Sequence, residues 1–221
     1  MATFDAKTAV HALKRELDER LHVLEGYPIE VELEEEGDLT TLLKIALKNE
    51  VEASEIAAVW MPTTPETDVK LGFARQVGDE ARHYRLIADY LTGSGVALDG
   101  FDPLAQGYSP LFQALQKLET TIERLAAGQF TREAIAVRRN EMFIAYLERH
   151  RHHDVAHIYQ SAIQPDESHH HQLGVAGLER LLASEADLQR ARRAMELTLS
   201  IADEMKKAAR QRLGVKAVPG C

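Results

Sequence analysis

The chain has very little cysteine. Its 221 residues include one, Cys221, which excludes intramolecular disulfides, thiolate zinc sites, iron–sulfur clusters and a rubredoxin-type iron module. Any metal that this protein binds must therefore be held by oxygen and nitrogen ligands.

Positive charge and long apolar runs are also scarce. The chain carries 26 Lys and Arg against 35 Asp and Glu, a formal charge of 26 − 35 = −9. Binding to nucleic acids or anionic membranes depends on clustered Lys and Arg, so neither partner is expected. No run reaches the roughly 18 apolar residues of a membrane span, and the first residues do not resemble a secretory signal. These features predict a cytoplasmic protein.

Proline and glycine are few, with 7 and 13 residues, and they separate long stretches rich in strong helix formers. The sequence therefore predicts an all-α protein. We expect one domain over residues 1–214 and a flexible tail over 215–221. The predicted helices cover 4–25, 38–61 with Asp38 as N-cap, 66–92, 109–127, 131–150, 154–182 and 184–213. Gly128 should end the fourth helix, and Pro165 should kink the sixth.

Four of these helices place a carboxylate on the core-facing row, where the i, i+3, i+4 rule expects apolar side chains. A buried carboxylate is costly unless it is paired, protonated or bound to a metal. In two of the helices a histidine follows one turn later. In chain order the residues are Glu50, Glu80 with His83, Glu141, and Glu167 with His170.

The spacing of these residues supports a common site. The intervals 80 − 50 = 30 and 167 − 141 = 26 suit antiparallel helices joined by short turns, and 141 − 83 = 58 leaves room for a crossover that contains a helix. A lone Glu-x-x-His is usually a solvent-facing pair, but the ordered set of four is that of di-iron and di-manganese carboxylate bundles. Glutamates can bridge two cations, and each imidazole adds one nitrogen donor.

Three short segments resemble known ligand motifs. Asn49-Glu50-Val51-Glu52-Ala53 resembles the first ligand segment of bacterioferritins, and Asp79-Glu80-Ala81-Arg82-His83 resembles a segment of monooxygenase hydroxylase subunits. Asp166-Glu167-Ser168-His169-His170 repeats the second pattern. Residues 39–182 thus resemble the ferritin-like di-iron carboxylate superfamily. The resemblance implies a ferritin-like four-helix bundle with additional N-terminal, crossover and C-terminal helices, holding two iron ions or a Mn/Fe or Mn/Mn pair.

The resemblance also implies roles for residues next to the ligands. Asp79 would orient His170, and Asp166 would orient His83, through the imidazole nitrogen that does not bind metal. Ile87 occupies the position where ribonucleotide reductase small subunits often carry a radical tyrosine, which argues against a tyrosyl radical there. One alternative stays open: His171 could replace His170 if Pro165 shifts the helical register.

The expected function is that of an oxidoreductase. A di-iron site, reduced by an external electron donor, would activate O₂ to oxidise a small organic substrate, in a protein that we expect to be a homodimer. The alternative is a ferroxidase or peroxide-scavenging protein without an organic substrate. An organic pocket beside the metals would favour the first, and a polar path for iron would favour the second. If the four acidic positions pointed to solvent, the bundle would be an interaction scaffold.

Overall fold

A computed structural model describes residues 4–25, 39–213 and 219–220 of the chain. Within these ranges the regular secondary structure is helical and contains no strand, as predicted. None of the helices described is both long and apolar enough to cross a membrane. The predicted cap at Asp38 lies outside the described residues, as do the tail residues 215–218 and 221. The helices are α1 Ala6–Glu25, α2 Leu39–Trp60, α3 Thr67–Gly93, α4 Pro110–Leu115, α5 Thr121–Leu125, α6 Glu133–Arg149, α7 His153–Ile158, α8 Gln164–Leu181 and α9 Glu185–Leu213.

Two π-helical segments join pairs of these helices. The first, π1 (Ala126–Arg132), connects α5 to α6, and the second, π2 (Tyr159–Ile163), connects α7 to α8. Each pair is therefore one long helix with a wide turn inside it. Wide turns of this kind occur often at functional sites.

Two separate hydrophobic clusters make up the core. The first contains the C-terminal half of α2, the start of α3, and parts of α1, α4, π1, α8 and α9. The second contains the N-terminal half of α2, the end of α3, and parts of α6, α7 and π2. Along α2, for example, Leu47 belongs to the second cluster and Ile56 to the first. The layer between the two clusters holds a group of buried charged residues.

Helices α1 and α9 run parallel to each other and cover the first cluster. Two ion pairs connect them: the Arg20 guanidinium lies 2.7 Å from the Glu196 carboxylate, and Nε of Arg192 lies 2.8 Å from that of Glu16. Leu13 is fully buried because it lies on the face of α1 that packs against the cluster.

The helix predicted over residues 109–127 is divided in two. It begins as expected, with Ser109 as N-cap before Pro110, but α4 ends at Leu115. A second helix starts after Thr120, whose hydroxyl accepts from the backbone N–H of Glu123 while the Glu123 carboxylate accepts from the backbone N–H of Thr120. This reciprocal capping box is readable in the sequence as Thr-x-x-Glu.

Gly128 does not end a helix, contrary to the sequence prediction. It lies inside π1, where a Cβ atom would come within 2.8 Å of Cζ3 of Trp60. The glycine therefore permits a close approach to a tryptophan of α2 rather than a helix stop. At Pro165 the predicted irregularity takes the form of π2, which ends two residues before the proline.

Two residues of the tail predicted to be flexible are held against the helices. The side-chain amide of Asn49 donates to the carbonyl of Pro219 at 2.9 Å, and the backbone N–H of Gly220 donates to Oδ1 of Asn140 at 3.0 Å. Asn49 precedes Glu50, so this part of the tail lies beside the charged layer.

Candidate metal centre

Six side chains of the types that can bind metals converge in the layer between the hydrophobic clusters, and each is at most 4% exposed. They form two groups of four, in which one ligand-type atom from each residue lies within 4.8 Å of the others. Two carboxylates belong to both groups. The first group is Glu50, Glu80, His83 and Glu167, and the second is Glu80, Glu133, Glu167 and His170.

His83 turns one ring nitrogen toward the centre and the other toward an aspartate. Its Nδ1 lies 3.0 Å from Oε2 of Glu80 and 3.3 Å from Oε2 of Glu50. Its Nε2 lies 3.0 Å from Oδ2 of Asp166 on the opposite helix, α8. Nδ1 is thus the nitrogen available to a metal.

His170 repeats this arrangement from α8. Its Nδ1 lies 3.6 Å from Oε1 of Glu80 and 3.5 Å from Oε2 of Glu167, and its Nε2 lies 3.2 Å from Oδ2 of Asp79 on α3. Each histidine therefore contacts the aspartate that the resemblance had assigned to it. An aspartate in this position holds the ring orientation and makes the inward nitrogen a better donor.

Both aspartates are also paired with arginines on α3. Nε of Arg75 lies 3.2 Å from Asp79, and Arg82 forms an ion pair with Asp166. Each aspartate is positioned to accept the Nε2–H of its histidine, which leaves Nδ1 facing inward.

Two buried atoms in the centre have no hydrogen-bond partner among the described residues: Oε2 of Glu167 and Nδ1 of His170. An unsatisfied buried polar group costs about 1–3 kcal/mol. The two atoms lie 3.5 Å apart and face the same group of carboxylates. A cation between them would satisfy both, so the residues present fit a metal.

Glu141 does not join the other predicted ligands. Its side chain is 41% exposed, and its carboxylate accepts from the Arg138 guanidinium at 3.0 Å. Glu133 takes its place, one residue after π1. The side-chain amide of Gln76 donates to Oε1 of Glu133 at 2.8 Å and to Oε1 of Glu80 at 3.1 Å, which links carboxylates from two helices.

The error at Glu141 follows from the supposed helix stop at Gly128. If a new helix began at Thr131, as the sequence predicted, Glu133 would lie in its first turn. Acidic residues are common there because they interact favourably with the helix dipole, so Glu133 did not stand out as a ligand. In the continuous helix, every residue from Arg124 to Glu133 is buried, so Glu133 lies in the interior instead of in an exposed first turn.

The alternative ligand His171 and two further glutamates of α2 have other partners. Nδ1 of His171 bonds to the carbonyl oxygen of Phe130 at 2.9 Å, so His170 is the inward residue. Glu52 is buried, yet it accepts from the backbone N–H of Ser109 at 2.7 Å and serves the start of α4. Glu55 accepts from the hydroxyl of Tyr108 at 2.6 Å.

Crowding of carboxylates in a buried layer shifts their protonation. Burial raises the pKa of Glu50 to about 8, despite the hydrogen bond with His83. Burial and the negative charges of Glu80 and Glu133 raise the pKa of Glu167 well above its usual value. Burial would raise the pKa of Glu80 as well, but the hydrogen bond from His83 and nearby positive charges outweigh it and hold that pKa at about 2.

His83 gains a proton in the same environment. Burial opposes its charge, but hydrogen bonds with Glu50 and Glu80 raise its pKa to about 11. Without metal, this imidazolium partly compensates the carboxylates. A cation that binds at Nδ1 must displace the proton.

A buried tyrosine lies close to the two groups. Tyr159, in π2, is 1% exposed, and its hydroxyl has no hydrogen-bond partner among the described residues. Burial, reinforced by the negative charges of Glu50 and Glu167, raises its pKa well above 10. The phenol therefore stays neutral beside the carboxylates. Its ring packs edge-on against Phe143, with ring centroids 5.0 Å apart.

These shifts predict that the metal-free protein loses stability as the pH rises from 5 to 8. Between pH 4.5 and about 8, the folded chain keeps a proton on Glu50 that the unfolded chain releases. Between pH 6.5 and about pH 11, the folded chain likewise keeps a proton on His83 that the unfolded chain releases. Each retained proton lowers the free energy of unfolding by at most about 1.4 kcal/mol per pH unit.

Thermal unfolding of chelator-treated protein at pH 5, 6, 7 and 8 measures this dependence. Glu50→Gln should reduce the slope, since the amide does not titrate, and Glu141→Gln should leave it unchanged because that side chain lies outside the centre. A midpoint that rises across this interval would contradict the assigned protonation states.

No known protein family, curated protein or solved structure matches this chain.

Proposed function

We propose that this protein is a dinuclear non-haem oxidoreductase of the ferritin-like di-iron carboxylate type, which uses O₂ to oxidise a small organic substrate. One observation carries the proposal: two buried ligand groups share Glu80 and Glu167, and each adds one further carboxylate and one imidazole. Shared carboxylates between two such groups are what a pair of adjacent cations requires.

The residues divide naturally between two metals. Glu50 and His83 would complete one site, Glu133 and His170 the other, and Glu80 and Glu167 would bridge them. Four carboxylates carry four negative charges, which two divalent cations balance. Oxygen and nitrogen donors suit iron and manganese, so Fe/Fe, Mn/Fe and Mn/Mn are all compatible with this set. Metals bound by these residues would supply the redox chemistry that reduction of O₂ requires.

The protein contributes orientation and exclusion of water. Asp79 and Asp166 hold the Nε2 protons of the two histidines, which directs both Nδ1 atoms into the centre. Gln76 keeps Glu80 and Glu133 in place. The hydrophobic clusters on either side bury the six side chains, which strengthens electrostatic interactions among them. Two electrons from an external donor would return the centre to its reduced form after each turnover.

In this proposal, α2, α3, the α5–π1–α6 helix and the α7–π2–α8 helix correspond to the four helices of a ferritin-like bundle. Helices α1, α4 and α9 are additions. The four core helices supply Glu, Glu-x-x-His, Glu and Glu-x-x-His in that order, which is the order of the di-iron carboxylate proteins.

Elemental analysis after anaerobic reconstitution with Fe(II) or Mn(II) tests the metal centre. We expect about two metals per chain, and O₂ uptake when the reduced iron form is exposed to air. Less than about half a metal per chain in a correctly folded protein would refute the proposal. Continued O₂ uptake driven by excess Fe(II) alone would instead support the ferroxidase alternative.

A further inference from the structure

A surface groove leads to the candidate metal centre between α2 and α3. Its volume is about 330 Å³, and the buried residues Glu50 and Glu80 form part of its lining. Val51 and Ala81 supply apolar lining, and Tyr84 and Arg85 lie farther along α3. Pockets for small organic ligands span roughly 300–1,000 Å³, so the groove suits a small molecule.

Arg85 differs from the other arginines of α3. Arg75 and Arg82 are both paired with aspartates next to the centre. Arg85 is exposed and forms no ion pair with any carboxylate in the described part of the chain. Another charged residue of the groove, Glu55, accepts a hydrogen bond from the hydroxyl of Tyr108 and forms no ion pair with Arg85. Arg85 is thus a cation whose hydrogen-bonding capacity is available to a ligand.

We propose that this groove binds a small organic carboxylate with an apolar body. The Arg85 guanidinium receives the carboxylate, since its planar fork matches the two oxygens of such a group. The apolar body lies against Val51 and Ala81 and directs its far end toward Glu50 and Glu80. The identification of this ligand as the substrate rests on the proposed function, whereas its binding does not require metal.

The charges of the groove fix which end of the ligand lies where. The carboxylates of Glu50, Glu55 and Glu80 line the same groove as Arg85. An anionic group is therefore favoured only beside the Arg85 guanidinium, and the end of the ligand near Glu50 and Glu80 must be uncharged.

Calorimetric titration of the metal-free protein tests the proposal. The probes are phenylacetate and hexanoate, each compared with its neutral amide. Arg85 is exposed and solvent weakens its ion pair with a ligand, so Arg85→Gln should weaken carboxylate binding about two- to fivefold. Amide binding should be weaker in the wild type and unchanged by the variant.

Arg15→Gln is the matched control, because Arg15 is also an exposed helical arginine without an ion pair among the described residues. It should bind carboxylates like the wild type. Val51→Phe, which fills the groove but keeps every charge, should also block binding. Carboxylate affinity that is unaffected by Arg85→Gln and Val51→Phe would overturn the proposal.

The outcomes separate this proposal from the function of the centre. If the protein binds two metals per chain and Arg85→Gln does not change carboxylate binding, the proposed ligand site in the groove is refuted. The proposed metal centre is then still supported. If carboxylates bind and Arg85→Gln weakens that binding, but the protein takes up no metal, the ligand site in the groove is supported and the proposed metal centre is refuted. The metal content of Arg85→Gln is expected to stay at that of the wild type.

Discussion

Glu133→Ala is expected to leave about one metal per chain where the wild type holds two. In the proposed centre Glu133 is the only carboxylate that belongs to the second ligand group and not to the first. Its loss leaves the second metal with His170 and two shared carboxylates. Elemental analysis of the reconstituted variant, alongside its helical content from circular dichroism, measures the effect.

Glu141→Ala provides the matched control, eight residues farther along α6. Its carboxylate is partly exposed and paired with Arg138, so both metals should remain. Glu133→Gln adds a second comparison, because its amide oxygen can still accept from Gln76 while the negative charge is removed. Full metal content in both Glu133 variants, or loss of metal in Glu141→Ala, would show that the second group does not bind metal.

The contrast between these glutamates shows what the sequence could predict about the site. Glu50, Glu80 and Glu167 were found because each stands on an apolar row within one helix, and a row depends only on local register. His83 and His170 follow from the same register, one turn away. The structure brings all five together.

Glu133 was missed because its position depends on a contact with a distant helix. Gly128 looks like a helix stop in isolation, and only its proximity to Trp60 of α2 explains it as a point of close packing. The extra width of π1 is likewise set by tertiary packing, which leaves no clear mark in hydrophobic periodicity. The start of α5 was also missed, although the capping-box pattern at Thr120 is present in the sequence.

The groove lies beyond sequence prediction altogether. Val51 and Arg85 are far apart in the chain, and their common surface exists only after α2 and α3 pair as antiparallel neighbours. An exposed arginine in a helix also has no distinguishing pattern. Its lack of an ion pair is a property of the folded surface.

Gly174→Ala is expected to cost more stability than alanine at any other helical glycine among the described residues. A Cβ at this position of α8 would lie 2.7 Å from the carbonyl carbon of Gln129 and 2.8 Å from Cα of Phe130. These are backbone atoms of π1, which cannot move aside as a flexible side chain can. Overpacking of a core costs typically 1–3 kcal/mol, and we expect roughly 3 kcal/mol at Gly174. For a chain of this length, each kcal/mol of lost stability lowers the midpoint of thermal unfolding by about 2–4 °C.

Gly78→Ala is the matched control, because Gly78 is also a helical glycine but has no atom within 4 Å of the added Cβ. Alanine there should raise stability by up to about 1 kcal/mol through its greater helix propensity. The damage at Gly174 should also extend to the metal centre, since π1 sets the position of Glu133. Metal content should therefore fall in Gly174→Ala at temperatures where the variant remains folded. A Gly174→Ala protein as stable as the wild type, with both metals, would mean that the backbones of α8 and π1 are not in direct contact at this point.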